Sequence, residues 1–353
     1  MKIQLILLRC QDIRLHYTFL MNLPNLFTKK IIQIIILFSC FTIIAPQIVA
    51  QQTGISLSPS LTEIVSKPGN TTELTFALEN LGDPALVSLK MLSIQPSDYF
   101  GNIKLETRTK KPIEFNSKDY SFASQKSFIM KSHEIKKINL TLSIPENTQD
   151  GDYYYALIAQ TDPPPGQEGS VVSRASIAIA SNILISVAKN YPSESEIKIV
   201  LLDIPESYLI NIFGKKTRVV DSSQVFNTIF TVQNKGMYRI KPEGSITLRS
   251  GKKTVNSYIL PAQNILAEWQ RTLQTTIPNR DGEVSLTLNK ITPGFYNLRA
   301  VISVPGNNTS VESAIDFVAI PFALINGLII CIALVAILVF LKKRRTDPDF
   351  ESA

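Results

Sequence analysis

The chain has 353 residues, enough for about two domains of ordinary size, with 44% hydrophobic residues, 18% charged residues and a formal net charge of +7. That charge would suit an anionic partner, but residues 51–320 hold 27 Lys and Arg against 25 Asp and Glu. The excess sits at the two ends, as expected of segments flanking membrane insertions, and gives no ground for nucleic-acid binding.

At the N-terminal end Lys29-Lys30 precedes an apolar run over 31–44, and Ile48-Val49-Ala50 follows. A positive flank, an apolar stretch too short for a comfortable bilayer span, and a small residue before the cut predict a signal peptide cleaved after Ala50. Residues 1–50 are therefore read as a leader, with translation starting at Met1 or at Met21. The three cysteines, Cys10, Cys40 and Cys331, all lie outside residues 51–320. An exported body with no disulfide points to a bacterial envelope rather than an animal cell surface.

Within the body, short runs rich in Val, Ile, Thr, Tyr and Phe alternate with Pro, Gly, Asn and Asp breaks, and no long stretch has a 3.6-residue period. That is an all-β pattern. The spacing predicts strands over 54–57, 63–65, 73–79, 86–94, 135–144, 153–160 and 171–187. A second cycle begins near Ile197, with strands over 226–233, 244–249, 255–260, 269–277, 284–288 and 296–304. Leu74, Phe76 and Leu78 alternate with Glu73, Thr75, Ala77 and Glu79, so that strand has one apolar face. The halves also echo each other. Phe76-Ala77-Leu78-Glu79-Asn80-Leu81-Gly82 is similar to Phe230-Thr231-Val232-Gln233-Asn234-Lys235-Gly236, and Asp150-Gly151-Asp152-Tyr153 is similar to Thr292-Pro293-Gly294-Phe295-Tyr296. The expected fold class is all-β: two tandem immunoglobulin-like β-sandwiches, 51–188 and 189–319, followed by a single transmembrane α-helix.

That helix is expected over 320–341. Residues 321–341 contain one strongly polar side chain, Asn326, and Lys342, Lys343, Arg344 and Arg345 follow at once. At 1.5 Å per residue the stretch is roughly 31 Å long, the thickness of a hydrocarbon core. The four basic residues act as the stop-transfer signal, so the tail 342–353 is cytoplasmic and the body faces outward: a single-pass cell-membrane protein with its N-terminus outside.

The chemistry-bearing residues of the body are sparse. His133 is its one histidine, in the polar stretch Lys131-Ser132-His133-Glu134, where it reads as a solvated side chain rather than a catalytic base. Asp150-Gly151-Asp152 lacks the further spaced carboxylates of a calcium loop and reads as a turn. No catalytic, metal-binding or cofactor-binding residue is assigned, no small-molecule substrate is evident, and no enzymatic activity is expected. Two features are candidate binding surfaces. Residues 104–137 carry nine basic side chains, including Lys104, Arg108, Lys110 and Lys111, against four acidic ones. They would meet an anionic wall polymer, or form a long solvated excursion. The loop with Pro163, Pro164, Pro165 and Gln167 is stiff at its start and sits at a strand end, where it would serve recognition or simple connection.

The order of signal peptide, two sandwiches, helix and basic tail resembles the WxL-interacting proteins of Gram-positive surfaces. The resemblance is one of architecture over nearly the whole chain, and Gly151-Asp152-Tyr153-Tyr154-Tyr155-Ala156-Leu157 departs from the family's usual pattern. It implies a non-enzymatic anchor or scaffold whose partners are the lipid bilayer and a surface protein, peptidoglycan or an anionic wall polymer. A structural or signalling subunit of a membrane complex is the alternative, and an envelope hydrolase with an unrecognised site is a further one.

Overall fold

The structure, a computed structural model, describes residues 54–106, 112–120, 122, 127–162, 176–190, 195–212, 214–276, 283–306 and 310–346. The leader expected over 1–50 lies outside the described residues. Among the described residues, ten strands build the first sandwich: β1 (Ile55–Ser58), β2 (Leu61–Ser66), β3 (Thr71–Asn80), β4 (Ala85–Pro96), β5 (Ile103–Glu106), β6 (Glu114–Asn116), β7 (Phe128–Met130), β8 (Ile135–Ser143), β9 (Gly151–Asp162) and β10 (Ala178–Val187). One sheet runs β1-β3-β8-β6, and the other runs β2-β10-β9-β4-β5 with β7 also on β4. All pairings are antiparallel except β2 with β10, which is parallel.

The period-2 alternation of β3 and β8 turns Phe76, Leu78, Ile138, Leu140 and Leu142 inward. They meet Val87, Leu89, Leu157, Ile183 and Ile185 of the opposite sheet, all of them buried. Burying one such side chain stabilises the fold by about 1.5–3 kcal/mol, and the sum over the core is what offsets the entropy of ordering the strands.

The second sandwich has β11 (Ile197–Asp203), β12 (Tyr208–Ile212), β13 (Lys215–Asp221), β14 (Phe226–Asn234), β15 (Glu243–Ser250), β16 (Lys253–Leu260), β17 (Gln270–Thr272), β18 (Leu286–Leu288), β19 (Gly294–Ser303) and β20 (Ser310–Ile320). Its sheets run β11-β14-β17, with β18 also on β14, and β12-β13-β20-β19-β15-β16. A separate core joins them, with Phe226, Phe230, Val232, Ile246, Leu298, Ile302 and Phe317 buried together. Again one edge pairing is parallel, β13 with β20. The fold is thus two tandem immunoglobulin-like sandwiches followed by one apolar helix, α1 (Phe322–Thr346).

Several elements differ from those read in the sequence. The described part of the basic stretch is no solvated excursion: it contains β5, β6 and β7, and Ile113, Phe115, Phe128 and Met130 pack into or against the first core. These apolar residues come in runs of no more than three between charges, too short a pattern to register as strands. β12, β13 and β20 were not read as strands; β13 begins with the basic run Lys215-Lys216 and β20 alternates with Glu312 and Asp316. The strand expected over 269–277 shortens to β17, because residues 273–275 are irregular chain, although Leu273 reaches the core. β10 begins at Ala178, and residues 171–175 lie outside the described residues. The helix does not stop at Leu341 but continues to Thr346, so Lys342, Lys343, Arg344 and Arg345 belong to its last turns.

Candidate binding cleft between the sandwiches

Residues Tyr153 to Ala159 form an apolar run with no polar alternation, and the run has a structural cause. Tyr155, Leu157 and Ala159 of β9 face their own core, while Tyr154, Ala156 and Ile158 face the other way. There they form a small second cluster with Ile94 and Leu184, against which Leu266 of the second sandwich packs. A strand buried on both faces reads as a continuous apolar run, and here the second face is the joint between the sandwiches.

Polar groups surround that contact. The Tyr154 hydroxyl donates to Asp152 Oδ2 at 2.7 Å and accepts from the Ala267 amide at 2.9 Å, and the same Asp152 oxygen accepts from the Arg239 amide at 2.5 Å. Burial pushes the Asp152 carboxyl above its usual range, against the opposing effect of hydrogen bonds from Ser186, Tyr154 and Arg239. The Arg239 guanidinium reaches Ser186 and lies 3.6 Å from Glu63. Glu63 also pairs with Lys241 and accepts from Asn264 Nδ2 at 2.8 Å. Burial alone would raise the Glu63 carboxyl, but these donors and the two positive charges hold it below its usual value.

On the other side of the joint the loop 97–102 reaches across. Asp98 folds it, accepting from the amides of Phe100 and Asn102 at 2.8 and 3.1 Å and from Asn102 Nδ2 at 2.7 Å. The Asn102 side chain is the main cause of the lowered Asp98 carboxyl. The loop carbonyls then receive the second sandwich: Trp269 Nε1 donates to Asp98 O at 3.1 Å and the Thr272 amide to Tyr99 O at 2.6 Å.

Between these contacts lies a cleft of about 400 Å³, lined from the first sandwich by Ile94, Asp98, Asn102 and Asn182 and from the second by Asn264, Trp269 and Arg271. The Arg271 guanidinium lies flat against Gly101, where a Cβ would come within 2.6 Å of its Cζ. Arg271 Nη1 donates to Asn264 O at 2.8 Å. Burial weakens its hold on its proton and Asp98 works the other way. Arg271 Nε, Asn182 Oδ1 and Asn264 Oδ1 are buried and have no hydrogen-bond partner among the described residues. Such groups are unfavourable unless something polar meets them. Asn182, Asn264 and Arg271 all line the cleft, while these three atoms themselves are shielded from solvent.

Of the residues singled out in the sequence, Lys104 is exposed on the edge strand β5, beside Ile103, which lines the cleft. Arg108, Lys110, Lys111, Pro163, Pro164, Pro165 and Gln167 lie outside the described residues. His133 sits in an exposed turn with φ 57°, its amide donating to Asn80 O. Asp152, read as part of a plain turn, opens β9 as a half-buried member of the joint. None of the candidate site residues read in the sequence lines the cleft; Asn182, Asn264 and Arg271 come together only through the packing of the sandwiches.

No family model and no curated relative matches the sequence. Among solved structures, the chain is similar to the YadV chaperone, at 12% identity and a TM-score of 0.35 over 74% of this chain and 99% of that one. It is similar to the class 5 fimbriae chaperone CfaA at 12% identity and a TM-score of 0.34, over 76% of this chain and 100% of that one. It is also similar to the E. coli chaperone DraB at 14% identity and a TM-score of 0.33, over 76% and 98% of the two chains.

Proposed function

We propose that this chain is a non-enzymatic scaffold of a bacterial cell surface, held by α1 in the cell membrane with its two sandwiches outside, and that it binds a surface protein or a wall polymer in the cleft between them. The observation that carries this reading is the cleft itself, with Arg271 Nε, Asn182 Oδ1 and Asn264 Oδ1 left without partners at a joint that is otherwise tied by hydrogen bonds. A fixed joint holds the cleft residues in a constant geometry, which lowers the ordering cost of binding. The apolar helix supports the anchor: residues Phe322–Lys343 are long and apolar enough to cross a membrane, and none of that span is buried against the sandwiches. The basic residues at its end favour a cytoplasmic C-terminus. The architecture resembling the WxL-interacting proteins supports the same role.

The test is retention by the full-length protein in detergent. It is immobilised and exposed to solubilised envelope proteins and, separately, to insoluble cell wall at low and moderate salt. Retention of one surface protein or of wall material, lost on Arg271→Ala with the circular dichroism unchanged, is the expected result. Retention of neither, or equal retention by Arg271→Ala, would overturn the cleft as the binding site.

A further inference from the structure

The end of the second sandwich that meets α1 is built differently from the rest of its surface. β20 ends at Ile320 and α1 begins at Phe322, so Pro321 is the whole connection. Two further contacts fix the helix start. The Asp221 carboxylate, at the end of β13, accepts the Phe322 amide, and the Tyr208 ring lies 5.7 Å from the Phe322 ring. Register places what surrounds this point: Tyr208 pairs with Val219, Val219 with Val318, and Val318 with Phe295, one continuous row across four strands two residues before β20 ends.

At this level three large apolar side chains from separate segments point into solvent: Tyr208 is 61% exposed, Phe295 77%, and Val225, in the loop tied to Ile320 through Ser222, 53%. Basic residues border them. Lys252 and Lys253 lie exposed at the β15–β16 turn, which is held beside Phe295 by Ser250 Oγ, and exposed Lys290 precedes Ile291, whose amide donates to Ser222 O. The acidic groups of the same end are taken up locally, Asp221 by Ser223 and Gln224 and Glu206 by Asn227.

We infer that this face is a lipid-binding surface: Tyr208, Phe295 and Val225 enter the headgroup layer of the membrane that α1 crosses, and Lys252, Lys253 and Lys290 meet anionic lipid headgroups. The inference rests on the membrane-spanning reading of α1. The physical reason is continuity. A helix joined by one residue and tied at two more points brings this end of the sandwich to the interface, where aromatic rings are favoured and lysines near an anionic surface attract it. The surface would hold the sandwiches at a fixed attitude over the membrane rather than on a free tether.

The test uses full-length protein in nanodiscs of equal parts phosphatidylcholine and phosphatidylglycerol, with acyl chains brominated near the headgroup end. The parent, whose sole tryptophan is Trp269, sets the baseline. Phe295→Trp reports the proposed surface, Leu334→Trp the helix, and Ile259→Trp a point level with Glu312, roughly 26 Å up the strands. Added fluorescence of Phe295→Trp is expected to fall by about half in brominated discs, with Ile259→Trp unchanged. Quenching of Leu334→Trp with none of Phe295→Trp would leave the helix in the bilayer and overturn the lipid-facing surface. Quenching of neither would remove the membrane-spanning reading and this inference with it. Changing Lys252, Lys253 and Lys290 together to Glu should reduce Phe295→Trp quenching, and equal quenching would overturn the role of anionic headgroups.

Discussion

Asn80 and Asn234 are equivalent residues of the two sandwiches. Each ends the strand that pairs with the first strand of its sandwich, opposite Ile55 in one case and Ile197 in the other. Each is buried, and each side chain ties together the chain that turns around it. Asn80 Nδ2 donates to Asp83 O and Lys131 O at 2.8 and 3.0 Å, and Asn234 Nδ2 to Tyr238 O and Leu266 O at 2.8 and 3.0 Å. Their Oδ1 atoms accept from Gly82 and Gly236. Alanine at either position removes all of these bonds at once. Each substitution is expected to destabilise by about 2 to 3 kcal/mol, seen as a fall of roughly 5 to 10 °C in the unfolding midpoint of the sandwich concerned. An unchanged midpoint would refute the shared role.

A second equivalence joins Tyr153 and Tyr296, each two residues after the glycine that opens its strand. Tyr153 OH donates to Gln149 O at 2.9 Å and Tyr296 OH to Thr292 O at 2.8 Å, the tyrosine corner of immunoglobulin-like sandwiches. Tyr296 is buried and stacks on Phe317 at 5.5 Å between ring centroids, whereas the Tyr153 bond is exposed. Tyr296→Phe is therefore expected to lose about 1 kcal/mol and Tyr153→Phe distinctly less, in paired denaturant titrations. Equal losses would argue against burial as the deciding factor.

These two repeats were visible as sequence echoes because each depends on a short local motif, Asn-x-Gly or Gly-x-Tyr, that the chain must spell out in order. The strand alternation of β3 and β8 was legible for the same reason. What the sequence hid depends on partners distant along the chain. Tyr154 and Ala267, or Asn264 and Glu63, meet across the joint with no local signal of it. The uninterrupted run Tyr153 to Ala159 was the one trace, since only a strand covered on both faces has no use for a polar side. The cleft residues Asn182 and Arg271 sit beside other polar residues in ordinary strand sequence, and nothing in spacing marks them.

Two carboxylates of the joint should respond to pH in opposite senses. Asp152, raised by burial, binds its proton more tightly folded than unfolded, so its contribution is fully present below the ordinary carboxylate range and is lost as pH rises through its raised value. Glu63, lowered overall, contributes above the ordinary range, and that contribution is lost as pH falls through its lowered value. Relative to the wild type, Asp152→Asn should thus gain stability as pH rises from about 4 to about 7, while Glu63→Gln should be the weaker protein at about pH 7 by a margin that shrinks as pH falls below about 4. Unfolding midpoints of the three proteins across this range decide it. Parallel curves would mean that neither carboxyl titrates differently on folding.

Trp269, the sole tryptophan, makes the joint directly observable. Its indole donates to Asp98 O across the sandwiches, and its ring lies 6.1 Å from Tyr99. The Tyr154 hydroxyl holds the same joint from the other side, donating to Asp152 and accepting from the Ala267 amide. Tyr154→Phe keeps the ring in its apolar cluster but leaves that amide without its acceptor, a loss of about 1 to 3 kcal/mol if no water replaces it. Because each sandwich has its own core, the loss should fall on the contact between them rather than on either fold. The expected result is a red shift of Trp269 emission and easier quenching by acrylamide, with the β-sheet circular dichroism unchanged. Unaltered emission would mean that the Asp98 and Tyr99 contacts hold the sandwiches together without Tyr154, and a loss of β-sheet signal would mean that Tyr154 belongs to the core and not to the joint.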